Sequence, residues 1–396
     1  MLSGSKPGGI FFIHGNINFN ECIYTSLKKY FKGRFFVKEV LFCCMKFRKL
    51  FFLLSIYVVS AYQLSAQIGA NGIYKFMNLP LSSRVASLGG NQIAVKDNDI
   101  SLGMQNPALL NPEMHNHAQF SYIDYMSDIN FGSLGYARSF DSLGTILAGM
   151  QYISYGDFTR ADVNGNKIGS FTAGEYNFFA GIGREWKRYS YGANVKFVHS
   201  TYDIYKSYGA AIDLGGAYVD SAKGYTLGMV MKNIGYQLKP YFETREPMPF
   251  EIQFGASLKP KHMPIRFNVL LHNLQKWDLT YKDPNKKPET DLATGEIKDK
   301  KPSVADMIGR HINIGAEILI SKNFHIRAGY NHQRRKEMTI PDHRGFVGYS
   351  YGFGFRVSRF NVSFGRAAYH IGGASNTFTL TSNLSHWLKV KNADIQ

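Results

Sequence analysis

Few residue combinations in this chain could catalyse a reaction. The Ser-x-x-Lys spacing of penicillin-recognising serine enzymes occurs only near the N-terminus, at Ser3/Lys6 and Ser26/Lys29. The Gly-x-Ser-x-Gly spacing occurs at Gly348–Gly352, but within an alternating strand pattern and not at the strand-to-helix turn of a nucleophile elbow. The chain has no P-loop and no His-Glu-x-x-His pair. The sequence therefore gives no support to the motif-bearing hydrolases and nucleotide-dependent enzymes, and we expect a protein that is not an enzyme and has no cofactor.

Two short segments resemble metal sites only in part. One alternates potential ligands before a predicted strand, at Glu113, His115 and His117, but no second ligand cluster accompanies it. The other, 162–166, begins like a calcium loop, yet Lys167 stands where such a loop needs Gly and Ala173 where it needs Glu. With Asn164-Gly165 at its centre, this second segment predicts a turn within a long hairpin loop.

The strongest pattern is a residue-by-residue alternation of apolar and small or polar side chains. In Tyr349–Val357 every odd position is large and apolar, and the even positions carry Ser, Gly or Arg. Phe250–Ala256 shows the same alternation. Such alternation indicates strands with two unlike faces. We predict about fourteen strands, at 118–127, 132–140, 143–155, 173–186, 189–201, 206–219, 224–235, 248–258, 263–273, 310–320, 323–331, 346–357, 360–369 and 376–388.

The connections favour a membrane barrel over a soluble sheet. Every second connection is short, as at Lys187-Arg188 and Ser358-Arg359, whereas most others are longer, including 156–172, 236–247, 274–309 and 332–345. Short turns at one end and long loops at the other are typical of outer-membrane barrels. We therefore predict an all-β fold, a transmembrane up-and-down antiparallel β-barrel of about 14 strands with an N-terminal plug segment. A soluble sandwich or propeller is the alternative.

The N-terminal region resembles a displaced export signal. A basic stretch from Met45, an apolar run to Val59 and small residues before Gln67 predict a signal peptide cleaved after Ala66. All three cysteines precede Met45. We divide the chain into a mis-assigned extension (1–44), a signal peptide (45–66), a plug segment (67–117), a barrel (118–388) and a C-terminal tail (389–396).

Charge limits the choice of partners. The net charge of +17 falls to +10 from Gln67 onward, because nine of 46 basic and two of 29 acidic residues precede it. For an exported chain this favours outer-membrane lipid and the phosphates of lipopolysaccharide, and no nucleic acid. The candidate contact residues lie in two long loops: Lys286, Lys287, Lys300, Lys301, Arg334, Arg335 and Lys336. Inward-facing charges on the strands, among them Arg327 and Glu317, are expected to pair across the lumen.

The segment before the first strand resembles a known family. Gly89–Asp99 followed by Gln105–Asn111, with its Asn-Pro-Ala step, is similar to the plug of FadL-like long-chain fatty-acid transporters. Together with Phe76–Pro80, Ile129–Arg138 and Ala148–Gly156, the chain resembles the PorQ family of the type IX secretion system of Bacteroidota, over about 67–390. PorV barrels are related. The candidate plug residues are Asn91, Asp97, Asp99, Asn106, Pro107 and Asn111.

This resemblance implies a function as well as a fold. A PorQ-like protein is a non-enzymatic outer-membrane component that holds a surface partner in the cargo attachment complex, beside proteins resembling PorZ, PorV and PorU. The alternative is a FadL-like transporter of hydrophobic small molecules. A transporter requires an apolar cavity near the plug and a break in the wall, whereas a scaffold does not.

Overall fold

The computed structural model of the protein describes residues 72–125, 128–280, 289–290, 297–298, 303–339, 345–370, 373–385 and 387. Several predicted features lie outside these residues. They are the extension 1–44, the signal peptide 45–66, the tail 389–396 and the loop lysines Lys286, Lys287, Lys300 and Lys301. No helix among the described residues is long and apolar enough to cross a membrane.

Fourteen antiparallel strands close into one barrel, in which each strand pairs with the barrel strands before and after it and the last pairs with the first. Each predicted segment corresponds to one of them. The barrel strands are β1 (His117–Asp124), β2 (Asn130–Phe140), β3 (Gly144–Ala161), β4 (Lys167–Trp186), β5 (Tyr189–Tyr202), β6 (Tyr205–Asp220), β7 (Tyr225–Lys239), β8 (Glu251–Leu258), β9 (Ile265–Leu271), β12 (Ile312–Leu319), β13 (Phe324–Asn331), β14 (Tyr349–Val357), β15 (Phe360–His370) and β16 (Gly373–Asn383). A separate two-stranded ribbon pairs β10 (Glu289–Thr290) with β11 (Ile297–Lys298) in the loop between β9 and β12.

The alternation places apolar side chains outside the barrel and small or polar ones inside. On β14, Tyr351 is 58% exposed and Phe353 40%, whereas Ser350 between β13 and β15 is only 3% exposed. A face of large apolar side chains around a closed barrel is the lipid-contacting surface of a membrane barrel. The predicted facing of this strand is therefore confirmed, and the soluble sandwich is wrong.

One end of the barrel, here called the turn end, has only short connections. The other, the loop end, has the longer connections together with the two-residue turn Asp203-Ile204. The predicted loop 156–172 is much shorter than expected, and the predicted loop 236–247 is displaced to 240–250. Strand pairing continues through most of 156–172, as far as Ala161 and Lys167, and β7 continues to Lys239. These hairpins extend because the ladder hydrogen bonds persist after the apolar alternation weakens, and the turn at 162–166 closes around Asp162, whose Oδ1 accepts from the amides of Asn164 and Asn166.

Residues 72–116 form the plug, which is built from short capped turns. Helix α1 (Ser83–Ser87) is capped by Ser82 and α2 (Ile100–Gln105) by Asp99. Each cap side chain accepts a hydrogen bond from a backbone amide of its helix. Asn106 and Asn111 cap 3₁₀ turns that have Pro at their first position. Two further helices lie in the loops: α3 (Val304–Arg310), capped by Ser303, and α4 (His332–Glu337).

Candidate functional site

The plug is attached to the inner wall of the barrel by hydrogen bonds on several sides. The amide of Gly89 donates to Ser350 Oγ on β14 at 3.1 Å, and Gln151 of β3 donates to the carbonyl of Phe76 at 3.1 Å. The carbonyl of Leu81 accepts from Ser133 on β2 at 2.8 Å. Because these contacts involve several different strands, the plug is held at more than one side of the barrel wall.

A buried cluster of ion pairs joins the plug to the wall near the turn end. Arg84 of α1 contacts Asp97 at 2.8 Å, Asp99 at 3.1 Å and Glu317 of β12 at 2.9 Å. Arg266 of β9 also contacts Glu317, at 2.7 Å, and Asp97 at 3.3 Å. We call this set, with Arg327 of β13 at 2.8 Å from Glu317, the arginine–carboxylate network.

The network has no excess charge, since three arginines face three carboxylates. Burial alone would raise the pKa of Asp97, but Arg84 and Arg266 hold the pKa of its carboxyl below the usual range. A paired, hydrogen-bonded charge is tolerated inside a protein, whereas the loss of one partner leaves the others uncompensated. Glu317 does pair with Arg266 and Arg327, but as directly opposite residues on adjacent strands, so the predicted pairing of these charges occurs along the wall and not across the lumen.

Sequence reasoning missed the central cation of the network and several other inward charges. Arg84 lies in the plug, where no strand periodicity marks its direction. Glu175 lies on β4 in phase with Asn177 and Phe179, so the alternation could have placed it inside. Its carboxylate accepts from Tyr155 at 2.7 Å and from Ser200 at 2.9 Å.

An apolar cluster joins the plug to part of the barrel wall, beside buried polar and charged inward side chains such as Glu175 and Lys196. Phe76 and Met77 of the plug are 3% and 2% exposed. They belong to one cluster with inward side chains of the wall, which include Phe131, Ile153, Phe179, Val198 and Ala211. We call these residues, together with Ile73, Tyr74 and Met248, the apolar cluster.

The wall parts beside this cluster. The pairing of β7 with β8 ends at Lys232, opposite Glu251, and the residues of β7 beyond the bulge at Asn233 pair only with β6 in this fully described stretch of wall. The chain at 247–249 fills the gap without forming a strand. It contacts the plug, because the amide of Ile73 donates to the carbonyl of Pro247 at 3.2 Å, and Met248 lies in the apolar cluster.

The candidate plug residues have unequal roles. Asn106 is fully buried, donates to the carbonyl of Ile93 at 3.0 Å and accepts from the amide of Ala108 at 3.1 Å. Asn111 donates to the carbonyl of Asp97 at 2.9 Å. The Pro107 carbonyl approaches the wall so closely that a Cβ on Gly192 would lie 2.5 Å from it. By contrast, Asn91 Oδ1 has no hydrogen-bond partner among the described residues.

The described basic loop residues make internal contacts. The guanidinium of Arg334 lies 3.9 Å from the ring centroid of Tyr369, and Arg335 donates to the carbonyl of Gly345 at 2.7 Å. Lys336 pairs with Asp306 of α3 at 2.9 Å. These contacts join α3 to α4 and order the loop end. Contact with lipopolysaccharide by these residues stays a prediction.

The segment with potential metal ligands has structural contacts. His115 Nδ1 contacts the backbone of Ser139, and His117 is a buried residue at the start of β1. Across the described ranges, no three His, Cys, Asp or Glu side chains come together as a set that could hold a metal ion.

The closed strand order, the apolar outer face and the internal segment together define a fourteen-stranded transmembrane β-barrel with an N-terminal plug. No family model matches the chain, and no curated protein matches it. Among solved structures, the chain is similar to the TodX deltaS2S3 mutant monoaromatic hydrocarbon channel, at 11% identity, with 76% of this chain and 98% of that chain covered and a TM-score of 0.46. It is also similar to a Pseudomonas aeruginosa FadL homologue (10% identity, 79% and 100% covered, TM-score 0.45) and to the CymD monoaromatic hydrocarbon channel (13%, 77% and 96%, TM-score 0.42).

Proposed function

We propose that the protein passes hydrophobic small molecules across the outer membrane through the loop-end half of its lumen. The observation that carries this proposal is the position of the apolar cluster beside the gap between β7 and β8. Water-excluding apolar surface inside a membrane barrel favours an apolar ligand by the free energy of burial, about 25 cal/mol per Å². The plug residues Phe76 and Met77 occupy that surface in this structure.

The structure keeps both parts of this route closed: the apolar cluster and the gap between β7 and β8. Ile73 and Asn78 of the plug contact the backbone of residues 247–249, at 3.2 Å and 3.5 Å. A shift of the 72–79 segment away from these residues exposes the apolar cluster to the loop end. The gap opens only if residues 247–249 also move, because the carbonyl of Pro249 accepts from Asn233 of β7 at 3.0 Å. Such a shift leaves the arginine–carboxylate network intact, because that network lies in the turn-end half and begins at Arg84.

The outer surface around the gap fits the exit of an apolar compound into lipid. Tyr236 and Leu238 on the upper part of β7 are 60% and 40% exposed, and Phe242 in the following loop is 68% exposed. Aromatic side chains near the ends of barrel strands are typical of the membrane interface. A hydrophobic molecule that leaves the apolar cluster through the gap therefore meets an apolar surface and not water.

The test is uptake of a fluorescent hydrophobic probe, N-phenyl-1-naphthylamine, by cells that carry the gene, lack it, or carry Met248→Asp. A carboxylate at this buried position, 8% exposed in the apolar cluster, should lower uptake to the level of the deletion strain. Thr244→Asp, in the exposed part of the same loop, is the matched control and should leave uptake unchanged. Equal uptake with and without the gene would reject the transporter.

A second candidate function is the type IX scaffold, an outer-membrane component that anchors a surface partner. The observation that favours it is the lumen filled by the plug and tied to the wall through Arg84 and Glu317. A barrel closed in this way serves as a rigid base for a partner at the loop end. Its test is a pull-down from crosslinked outer membranes combined with gene deletion: a secreted surface protein should co-purify, and cargo with a type IX signal should be mislocalised. Normal secretion in the deletion strain would reject this function.

A further inference from the structure

A polar cavity of about 340 Å³ opens at the turn end of the barrel, below the arginine–carboxylate network. Its lining comes from the plug, at Ser82, Asp97 and Asp99, and from the ends of the strands near the short turns. Short turns face the periplasm in outer-membrane barrels. The cavity is therefore accessible from the periplasm and lies in the half of the lumen that the proposed transport route does not use.

The cavity has an excess of positive charge. Arg84, Arg266 and Arg327 line it, but Asp97, Asp99 and Glu317 balance their charges. Three further cations also line it: Lys259, Lys322 and Arg356. Arg356 donates to the side-chain oxygen of Asn361 at 3.1 Å, and none of the three forms an ion pair within the described part of the chain. The three add a net charge of +3 at the mouth.

An unpartnered donor lies at the floor of the cavity. Arg327 has a side-chain exposure of only 6%, and its Nη1 has no hydrogen-bond partner among the described residues. Gly354 lets the guanidinium pack against the strand backbone, since a Cβ there would lie 2.9 Å from Nη1. Both residues line the cavity. A buried guanidinium nitrogen without an acceptor costs free energy, which an entering oxyanion recovers.

We propose that this cavity binds a phosphate group. Phosphate supplies several acceptor oxygens and up to two negative charges, which match three cations without an ion-pair partner among the described residues, around one buried guanidinium donor. The hydroxyls of Ser363 and Thr381, which also line the cavity, offer additional donors. The phosphate comes from a soluble periplasmic phosphate compound or from a phospholipid headgroup of the inner leaflet, and either source presents the same group.

The experiment is an isothermal titration calorimetry measurement, in which the purified, detergent-solubilised barrel is titrated with inorganic phosphate at low ionic strength. The variant Lys259→Gln/Lys322→Gln/Arg356→Gln removes the excess charge and leaves the arginine–carboxylate network unchanged. Saturable binding to the wild-type protein should weaken at least about tenfold in this variant, because each exposed cation contributes on the order of a few-fold to the attraction of an anion. Lys223→Gln, at an exposed lysine of another short turn, should bind like the wild type.

The same titration with short-chain phosphatidic acid identifies the source. Binding of both ligands, each weakened by the triple substitution, supports a general phosphate site; binding of the lipid alone with the same dependence supports a headgroup site. The proposal is overturned if neither ligand binds saturably, or if the triple variant retains wild-type affinity. It is also overturned if Lys223→Gln weakens binding as much as the triple substitution does. Heat-modifiable mobility shows that each variant is folded, and none of these outcomes depends on transport.

Discussion

Arg84 of the plug donates to Glu317 of the barrel wall at 2.9 Å, across a sequence separation of 233 residues. The side chains are 8% and 0% exposed. Glu317 also accepts from Arg266 and Arg327, so one carboxylate joins the plug to three adjacent strands. This arrangement makes plug attachment and barrel stability depend on the same buried residue.

Glu317→Gln should destabilise the folded barrel by about 3–5 kcal/mol, because it leaves three buried arginines with two carboxylates. The measurement is the urea midpoint of the heat-modifiable band. Glu185→Gln serves as the control, since Glu185 pairs with Lys96 at 2.8 Å but is 39% exposed. An exposed pair contributes about 1 kcal/mol or less. Equal losses in the two variants would contradict a special role for the network.

Plug packing should depend on Asn106 far more than on Asn91. Asn106→Ala removes a buried donor to Ile93 and the cap of a 3₁₀ turn, and should cost about 1–3 kcal/mol. Limited proteolysis of the plug in purified barrels measures the effect. Asn91→Ala, at a residue whose side-chain oxygen lacks a partner in the described structure, should leave the cleavage rate close to that of the wild type. Faster cleavage in Asn91→Ala than in Asn106→Ala would refute this order.

The contact between α3 and α4 should weaken only in strong acid. Burial alone would raise the pKa of Asp306, but hydrogen bonds and charges from Lys336 and Arg310 lower it to about 2. A carboxyl with a lowered folded-state pKa stabilises the fold above its unfolded pKa, near 3.8, and this contribution disappears as pH falls through about 2. His332, at 3.5 Å, adds a third nearby cation when it is protonated.

Hydrogen exchange of 303–339 measures this dependence. Protection should be constant from pH 7 to about 5 and should fall between about pH 4 and pH 2. Asp306→Asn should reproduce the low-pH pattern at neutral pH. Loss of protection already between pH 7 and pH 5 would contradict control of the contact by Asp306.

The facing of the strands predicts that a new charge costs more on the lipid-facing surface of the barrel than on the lumen-facing surface. Phe353→Lys places a cation among Phe355 and Phe364 on the lipid side and should cost about 2–4 kcal/mol, seen as reduced recovery of folded barrel. Thr381→Lys on β16 points into the polar cavity and should be tolerated better. Gly352 is unsuitable as the inward control, because a Cβ there would lie 2.4 Å from the carbonyl oxygen of Phe364. If Thr381→Lys impaired folding more, the facing would be wrong.

The sequence by itself determined the features that arise from short-range periodicity. Alternating side chains fix which face of each strand meets lipid, so fourteen strands, the facing of Tyr351 and Ser350, and the turns at Lys187 and Ser358 follow from local pattern. Both turn residues adopt positive φ, at 58° and 52°. The cap at Ser303 also depends on local sequence alone, because its hydroxyl accepts from the amide of Asp306, three residues later.

The tertiary structure decided how the lumen is filled. Arg84 lies in a segment without strand period, so nothing local brings it to Glu317, and the apolar cluster joins plug and wall residues that are far apart in sequence. The gap beside β7 likewise depends on where pairing with β8 stops. Alternation extends over a few residues, whereas the fit of a plug into a barrel depends on the shape and charge of the whole inner surface.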